Sequence, residues 1–400
     1  MNGKSLFLIL LAGIGLHASA GPVFFMPARI FAVEGVPCNF HFAQYFDSVR
    51  PDRYAFEARC DVGRSFADRW TWTPEGKDAV KRHRLVVNAW SDDGLVASAT
   101  TTVVVAGTPD AKAKARRVTL ALLAASDTNC LYQDQLLKRM REAGLDGYRP
   151  VGSHSGDSAS LVCEPGKHAP HDGYGGFSWD SFLTRYAVSV DEIDNVQAEA
   201  EREQLKAFGV KVPKGEEWRK ALLKSPIVRL KNGRKTLDVQ SWFDRINGGE
   251  APDVIVISLG GNVVWALRPE TAEDGLADEL AAARKLLAAL RTAAPRAIIA
   301  VTTSMAGSLD QDSWAHNYGC KQTCFLAHRA FLRYNREMKD LVEASGDKRL
   351  RFVPLAQNVH PLKGYPCGEY GNALHANASG GAQMGDALYA WLRNELEGWR

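Results

Sequence analysis

The sequence predicts an α/β protein, a parallel-sheet domain preceded by a small all-β sandwich domain, and three observations carry that prediction. Residues 24–106 alternate apolar and polar positions between short turns. From Val118 onward the pattern changes to continuous apolar runs at 118–125, 254–259 and 297–301. Between the last two, Leu276, Leu280, Leu287 and Leu290 mark one face of an amphipathic helix. Runs without alternation suit strands buried on both faces, and strands alternating with helices wind into a parallel sheet.

Taken in order, the chain opens with Lys4, an apolar run over 6–16 and the small residues Ala18-Ser19-Ala20. That is the pattern of an export leader cleaved after Ala20, so the expected location is secreted or periplasmic. The run falls short of the ~20 apolar residues that span a bilayer, and no later stretch approaches that length. In the β-rich module (21–106) the inward set is Phe40 and Phe42; Tyr54, Phe56 and Ala58; Trp70 and Trp72; Leu85, Val87 and Ala89; Val103 and Val105. Trp70 and Trp72 read as core rather than as a ligand platform. Cys38 and Cys60 lie on neighbouring candidate strands and are the expected disulfide, since export permits one. A polar linker follows at 107–116, then the α/β domain from 117, with a helix near 133–143. A heavily charged insertion at 191–224 reads as a solvated helix pair, the alternative being a lid.

Composition narrows the function class. With 46% hydrophobic residues the chain is not disordered, and 400 residues favour two domains. Lys and Arg number 49 against 46 Asp and Glu, a balance that gives no pull toward nucleic acid. No Cys-x-x-Cys pair supports a zinc site; Cys320 and Cys324 read as structural or disulfide-forming. No glycine-rich nucleotide loop follows a strand, so no cofactor is expected. Seven cysteines is an odd number, and Cys130 is the candidate unpaired thiol.

Parallel sheets place ligand chemistry beyond the C-terminal ends of their strands. The first buried run enters Ala124-Ala125-Ser126-Asp127-Thr128-Asn129 ahead of a helix. Ser126 there is either an exposed nucleophile or one of several residues capping that helix. The turn Asp172-Gly173-Tyr174-Gly175-Gly176-Phe177 offers backbone N–H groups, and Asn262 ends the next buried strand with a side-chain donor. Asp172 reads as a turn-stabilising residue, a substitute catalytic acid being the other option. His375 stands shortly before the last helical stretch.

In this order the residues resemble the SGNH (GDSL-type) hydrolases over roughly 117–397. The resemblance implies a flavodoxin-like three-layer domain and a serine esterase without a cofactor. It assigns Ser126 as nucleophile and His375 as base, with the Ser126 and Gly176 N–H groups and Asn262 forming the oxyanion hole. Further segments, 173–179, 317–323 and 380–391, look like a secreted esterase branch that can carry an immunoglobulin-like module in front. The implied substrate is a small-molecule or polysaccharide ester, either a carbohydrate ester or a small lipid ester. Three positions depart from the pattern. Ala124-Ala125 replace Gly-Asp before the serine, Val263 replaces the Asp after Asn262, and Asn372 stands where the family has the triad Asp. Serine proteases lose about 10⁴ in turnover on the matching Asp-to-Asn change. A Ser-His dyad helped by a backbone carbonyl is the implied alternative; a weakened scaffold that binds a glycan or partner is the competing function. Gly156-Asp157-Ser158 spells the family motif but lies in a Ser/Gly-rich loop with no helix-forming run behind it, so Ser158 is rejected.

Overall fold

Short alternating strands come first in the structure, a computed structural model that describes residues 23–48, 50–76, 81–155, 168–185, 225–231, 234–367 and 372–397. The expected leader, the Gly156-Asp157-Ser158 turn, the 191–224 insertion and the Cys130 side chain lie outside the described residues. The strands are β1 (Val23–Phe24), β2 (Arg29–Val33), β3 (Cys38–His41), β4 (Phe46–Asp47), β5 (Ala55–Arg59), β6 (Arg64–Ser65), β7 (Arg69–Trp72), β8 (Arg82–Ser91) and β9 (Gly94–Ala106). They form a four-stranded sheet ordered β2-β9-β8-β5, a three-stranded sheet β3-β7-β6 and the pair β1-β4. Ile30, Phe40, Trp70, Leu85, Val87 and Val103 from the two larger sheets share one buried cluster. Trp70 is core, as its spacing predicts; Phe42 instead opens a 3-10 turn, Phe42–Tyr45.

The expected Cys38–Cys60 disulfide is absent, and all five described cysteines are free thiols. Strand pairing explains why. β3 pairs with β7 while β5, which leads to Cys60, pairs with β8 in the other sheet. The Cys38 thiol donates to the Phe31 carbonyl and the Cys60 thiol to Asp61. Burial pushes the Cys38 thiol up to about 12.

The linker carries a helical turn, α1 (Ala111–Ala115), because Asp110 accepts from the Ala113 N–H and Ala and Lys favour helix. Beyond it come β10 (Val118–Ala124), α2 (Tyr132–Glu142), β11 (Tyr148–Val151), β12 (Asp172–Gly173), α3 (Trp179–Thr184), β13 (Val228–Lys231), β14 (Arg234–Leu237), α4 (Val239–Asn247), β15 (Val254–Ser258), α5 (Gly261–Val264), α6 (Ala272–Ala293), β16 (Ile298–Thr302), α7 (Gln311–Tyr318), α8 (Cys324–Ala344), β17 (Leu350–Val353) and α9 (Ala378–Glu397). Among the described residues no helix is long and apolar enough to cross a membrane.

The central sheet is parallel and ordered β11-β10-β15-β16-β17, with β12 paired to the C-terminal end of β10. Counted along the chain without β12, that order is 2-1-3-4-5, the doubly wound flavodoxin-like arrangement. Alternate residues of β10 serve opposite faces. Ala121 and Leu123 pack with Trp242, Leu280 and Phe331, while Leu120 and Leu122 pack with Leu136, Leu388 and Trp391. Burial on both faces is why these strands read as unbroken apolar runs, each large side chain contributing about 1.5–3 kcal/mol. The order reverses direction between β10 and β15, and such a switch point leaves a crevice at the strand ends.

The β-rich module is fastened to the α/β part by polar and aromatic contacts. The Asn39 backbone N–H and side-chain amide both donate to Asn358 Oδ1, at 2.8 and 3.0 Å. Gln44 donates to the Val359 carbonyl, His328 to the Ala43 carbonyl, and Phe25 meets Phe352 edge-on.

Candidate active site

Ser126 enters the crevice straight from β10. Ala125 is still extended, Ser126–Cys130 forms a 3-10 turn, and Leu131 at φ 50° closes it before α2 begins. A bulky residue at positive φ is unusual and marks a tightly determined turn. The helix-capping alternative fails here: the N-cap of α2 is Leu131, and no side chain caps that helix. The polar residues build the turn instead, with Thr128 donating to the Ala125 carbonyl and Asp127 accepting from the Ala125 N–H.

Ser126 Oγ lies 2.7 Å from His375 Nε2. Burial pushes the imidazole down to about 4, although the residue keeps some solvent contact. A neutral ring with its proton on Nδ1 can accept a hydrogen bond from the serine hydroxyl through Nε2. The histidine loop is held from both sides. Ala373 donates to Asn317 Oδ1 at 2.8 Å, and its carbonyl accepts from the Ser308 N–H at 2.7 Å. Trp314 in turn donates to the Ser308 carbonyl.

Asn372 does something other than the sequence suggests. Its Oδ1 accepts from the Leu374 and His375 backbone N–H groups, at 3.0 and 3.1 Å. An amide oxygen has two lone pairs, so both are committed to the main chain. Asn372 shapes the loop and leaves no acceptor for the imidazole.

The two other turns follow β12 and β15, the strands flanking the end of β10. Tyr174 donates its N–H to the Ala124 carbonyl, and the 174–177 turn passes through Gly176 at φ +76°. Such a φ favours glycine. Asn262, on α5, donates to the Phe177 carbonyl at 2.9 Å and so ties this turn to the end of β15. Its amide carries a second N–H. Asp172 is fully buried beneath the turn, accepting from the Ser153 N–H, the Tyr174 hydroxyl and the Trp242 indole. Three donors make it a structural anchor, in line with the turn-stabilising reading.

Sequence reasoning missed Asp127. Ser258, at the end of β15, donates its hydroxyl to Asp127 Oδ2. Burial nevertheless pushes this carboxyl up to about 6. The acid was visible beside Ser126, but its partner stands on another strand. It also missed the anchoring role of Asn317, although the 317–323 segment stood out, and that of Ser308, which no local pattern distinguishes.

One set of potential metal ligands occurs among the described residues, His41, Asp68 and His360 at the junction of the two parts. His360 Nδ1 accepts from the Leu362 and Lys363 N–H groups, so its Nε2 bears the proton and faces Asp68 at 3.5 Å. In that tautomer His360 turns a proton rather than a lone pair toward the other two groups.

Comparison with family models and with curated protein sequences finds no match. Several solved structures are similar in part. A family 3 carbohydrate esterase from Clostridium thermocellum matches at 15% identity and a TM-score of 0.40, over 71% of this chain and 100% of that one. A family 3 carbohydrate esterase from Talaromyces cellulolyticus matches at 15% and 0.39, over 71% and 100%. A family two carbohydrate esterase from Clostridium thermocellum, in complex with cellohexaose, matches at 14% and 0.35, over 92% and 94%. At these identities and scores the likeness is loose.

Proposed function

We propose that the protein is an exported serine esterase of the SGNH type, with an immunoglobulin-like β-sandwich in front of the catalytic domain. The observation that carries this reading is the 2.7 Å contact between Ser126 Oγ and His375 Nε2 at the switch point of the sheet. Ser126 attacks the ester carbonyl as His375 takes its proton. The resulting oxyanion is held by the Ser126 and Gly176 N–H groups and the second N–H of Asn262. Collapse expels the alcohol, protonated by His375, and leaves an acyl-serine that water clears by the same proton route. The substrate class is a carboxylic ester of a carbohydrate or small lipid.

Asn372 supports a second reading, a scaffold with weakened catalysis that holds a glycan or partner. No carboxylate stands at that position, and its amide oxygen is already occupied. Hydrolysis of p-nitrophenyl acetate by the purified chain and by Ser126→Ala tests the first reading. Equal rates in the two proteins would refute it. Failure of the wild type to react with a fluorophosphonate, combined with glycan binding, would establish the second.

A further inference from the structure

The loop that carries His375 is anchored ahead of the base at Ala373 and behind it at Asn377, and both anchors reach one turn, residues 360–364. Behind the base, the Gly364 carbonyl accepts from the Asn377 N–H at 2.9 Å, and the Lys363 carbonyl accepts from the Asn377 side-chain amide at 3.0 Å. Asn377 Oδ1 in turn accepts from the Gly380 N–H in the first turn of α9. The fit is close, because a Cβ on Gly380 would collide with the Gly364 carbonyl oxygen. Ahead of the base, Ser308 donates to the Ala373 carbonyl at 2.7 Å while its neighbour Leu309 donates to the Pro361 carbonyl at 2.9 Å.

The other side of this turn belongs to the β-rich module. His360 opens the turn and accepts through Nδ1 from the Leu362 and Lys363 N–H groups, at 3.2 and 3.3 Å, while its carbonyl accepts from the Gly364 N–H at 2.9 Å. With Nδ1 so used, the ring proton sits on Nε2, and that atom stands 3.5 Å from Asp68 Oδ2 in the module. Asp68 is itself oriented: Arg69 donates to its Oδ1 at 2.7 Å, and the Phe42 N–H donates to its carbonyl at 3.1 Å. The buried His41 ring lies against the His360 ring with centroids 4.9 Å apart. One nitrogen of His360 therefore serves the turn that holds the histidine loop, and the other faces the module.

We propose that the β-rich module holds the proposed base in register with Ser126, and that His360 is the positioning residue through which it does so. Loss of Asp68 frees Nε2 and slackens the turn. The Gly364 and Lys363 carbonyls then no longer fix Asn377, two residues beyond His375. A reacting group misplaced by about 1 Å through a remote change can lose about 10²-fold in rate, so the module can govern turnover without touching the ester. The part given to His375 rests on the esterase reading; the hold on its loop does not, and the two are tested apart.

The first arm is kinetic and uses the full chain on p-nitrophenyl acetate. His360→Ala removes both ring nitrogens and is expected to lower kcat about tenfold with KM unchanged. His360→Asn still offers an oxygen to the turn but is too short to reach Asp68, and Asp68→Ala removes the other partner; each is expected to lose a smaller share, about threefold in kcat. Since both remove one contact, the double variant should lose no more than either alone. Losses that multiply, a change in KM at constant kcat, or full kcat in His360→Ala would each overturn the proposal.

The second arm needs no catalysis. Hydrogen exchange followed by mass spectrometry should be at least about ten times faster over 373–377 in His360→Ala than in wild type, and faster to a lesser degree in Asp68→Ala, while β10 and α2 keep their rates. That result supports the hold of the module on the loop even if the wild type hydrolyses nothing, in which case the esterase reading alone fails. Unchanged exchange over 373–377, or equal acceleration throughout the α/β domain, overturns the proposal.

Discussion

Ser258 donates its hydroxyl to Asp127, so the residue after the proposed nucleophile is pinned to the end of the neighbouring strand. This bond joins the Ser126 turn to the strand that leads to Asn262. Asp127 pays for the position in lost hydration, and its carboxyl rises from 3.8 to about 6. Because the folded value lies above the unfolded one, the fold favours the protonated form. Stability contributed by Asp127 therefore increases as pH falls from above 6 toward 3.8. Asp127→Asn removes this dependence. The difference in Tm, wild type minus variant, should rise between pH 7 and pH 4; a flat difference in thermal melts across that range would contradict the assignment.

His375 sets a second pH response. Its imidazole is pushed below 6.5 to about 4, so it stays neutral and able to accept a proton well into the acid range. The acid limb of kcat/KM is expected near pH 4 rather than 6.5. Asn372→Asp places a carboxylate in the histidine loop, which stabilises an imidazolium and moves the limb upward. Turnover should rise at least about tenfold, a fraction of the ~10⁴ that a complete triad provides. An unchanged profile would mean that position 372 does not act on the ring.

Gly260 turns the chain from β15 into α5 at φ +104°. A Cβ there would stand 2.3 Å from the Tyr334 ring, whose hydroxyl donates to the Leu259 carbonyl and accepts from Trp179. Gly260→Ala should cost about 3 kcal/mol or more, combining overpacking with backbone strain. Urea unfolding measures it, and a loss under 1 kcal/mol would show that the turn relaxes freely.

At the junction, Asn358→Ala removes the acceptor of two Asn39 donors and also a 2.7 Å bond to the Gln383 carbonyl. Unpaired groups of this kind cost about 1–3 kcal/mol each. A clear fall in the denaturation midpoint is expected. If the midpoint is unchanged, the Asn39–Asn358 pair does not help to hold the module.

The parts of this structure that were legible in the sequence are those set by nearest neighbours. Strands β10, β15 and β16 announced themselves as apolar runs because both faces are buried, and α6 by its leucine stripe. Ser126, Gly176, Asn262 and His375 stood out through the order of short motifs. The short strand β17 was not singled out, since it has only four residues and two of them are partly exposed. Pairings between distant segments were also hidden. Nothing local says that β5 chooses β8, which is why Cys60 misses Cys38, or that Ser258 closes on Asp127. The role of Asn372 depended on which atoms reach its oxygen, a matter of loop geometry rather than residue type.

Ser126 and His375 are 249 residues apart in the chain. Their 2.7 Å contact can form only after the strands between them have taken their places in one sheet. Bringing such remote segments together is slow, because the entropy of closing the long loop is lost before its contacts are gained. The Ser126–His375 contact is then among the last features a refolding chain recovers, later than its helices and much of its buried surface. Under the proposed function, regain of esterase activity is a clock for complete assembly, running later than any signal that reports helices alone.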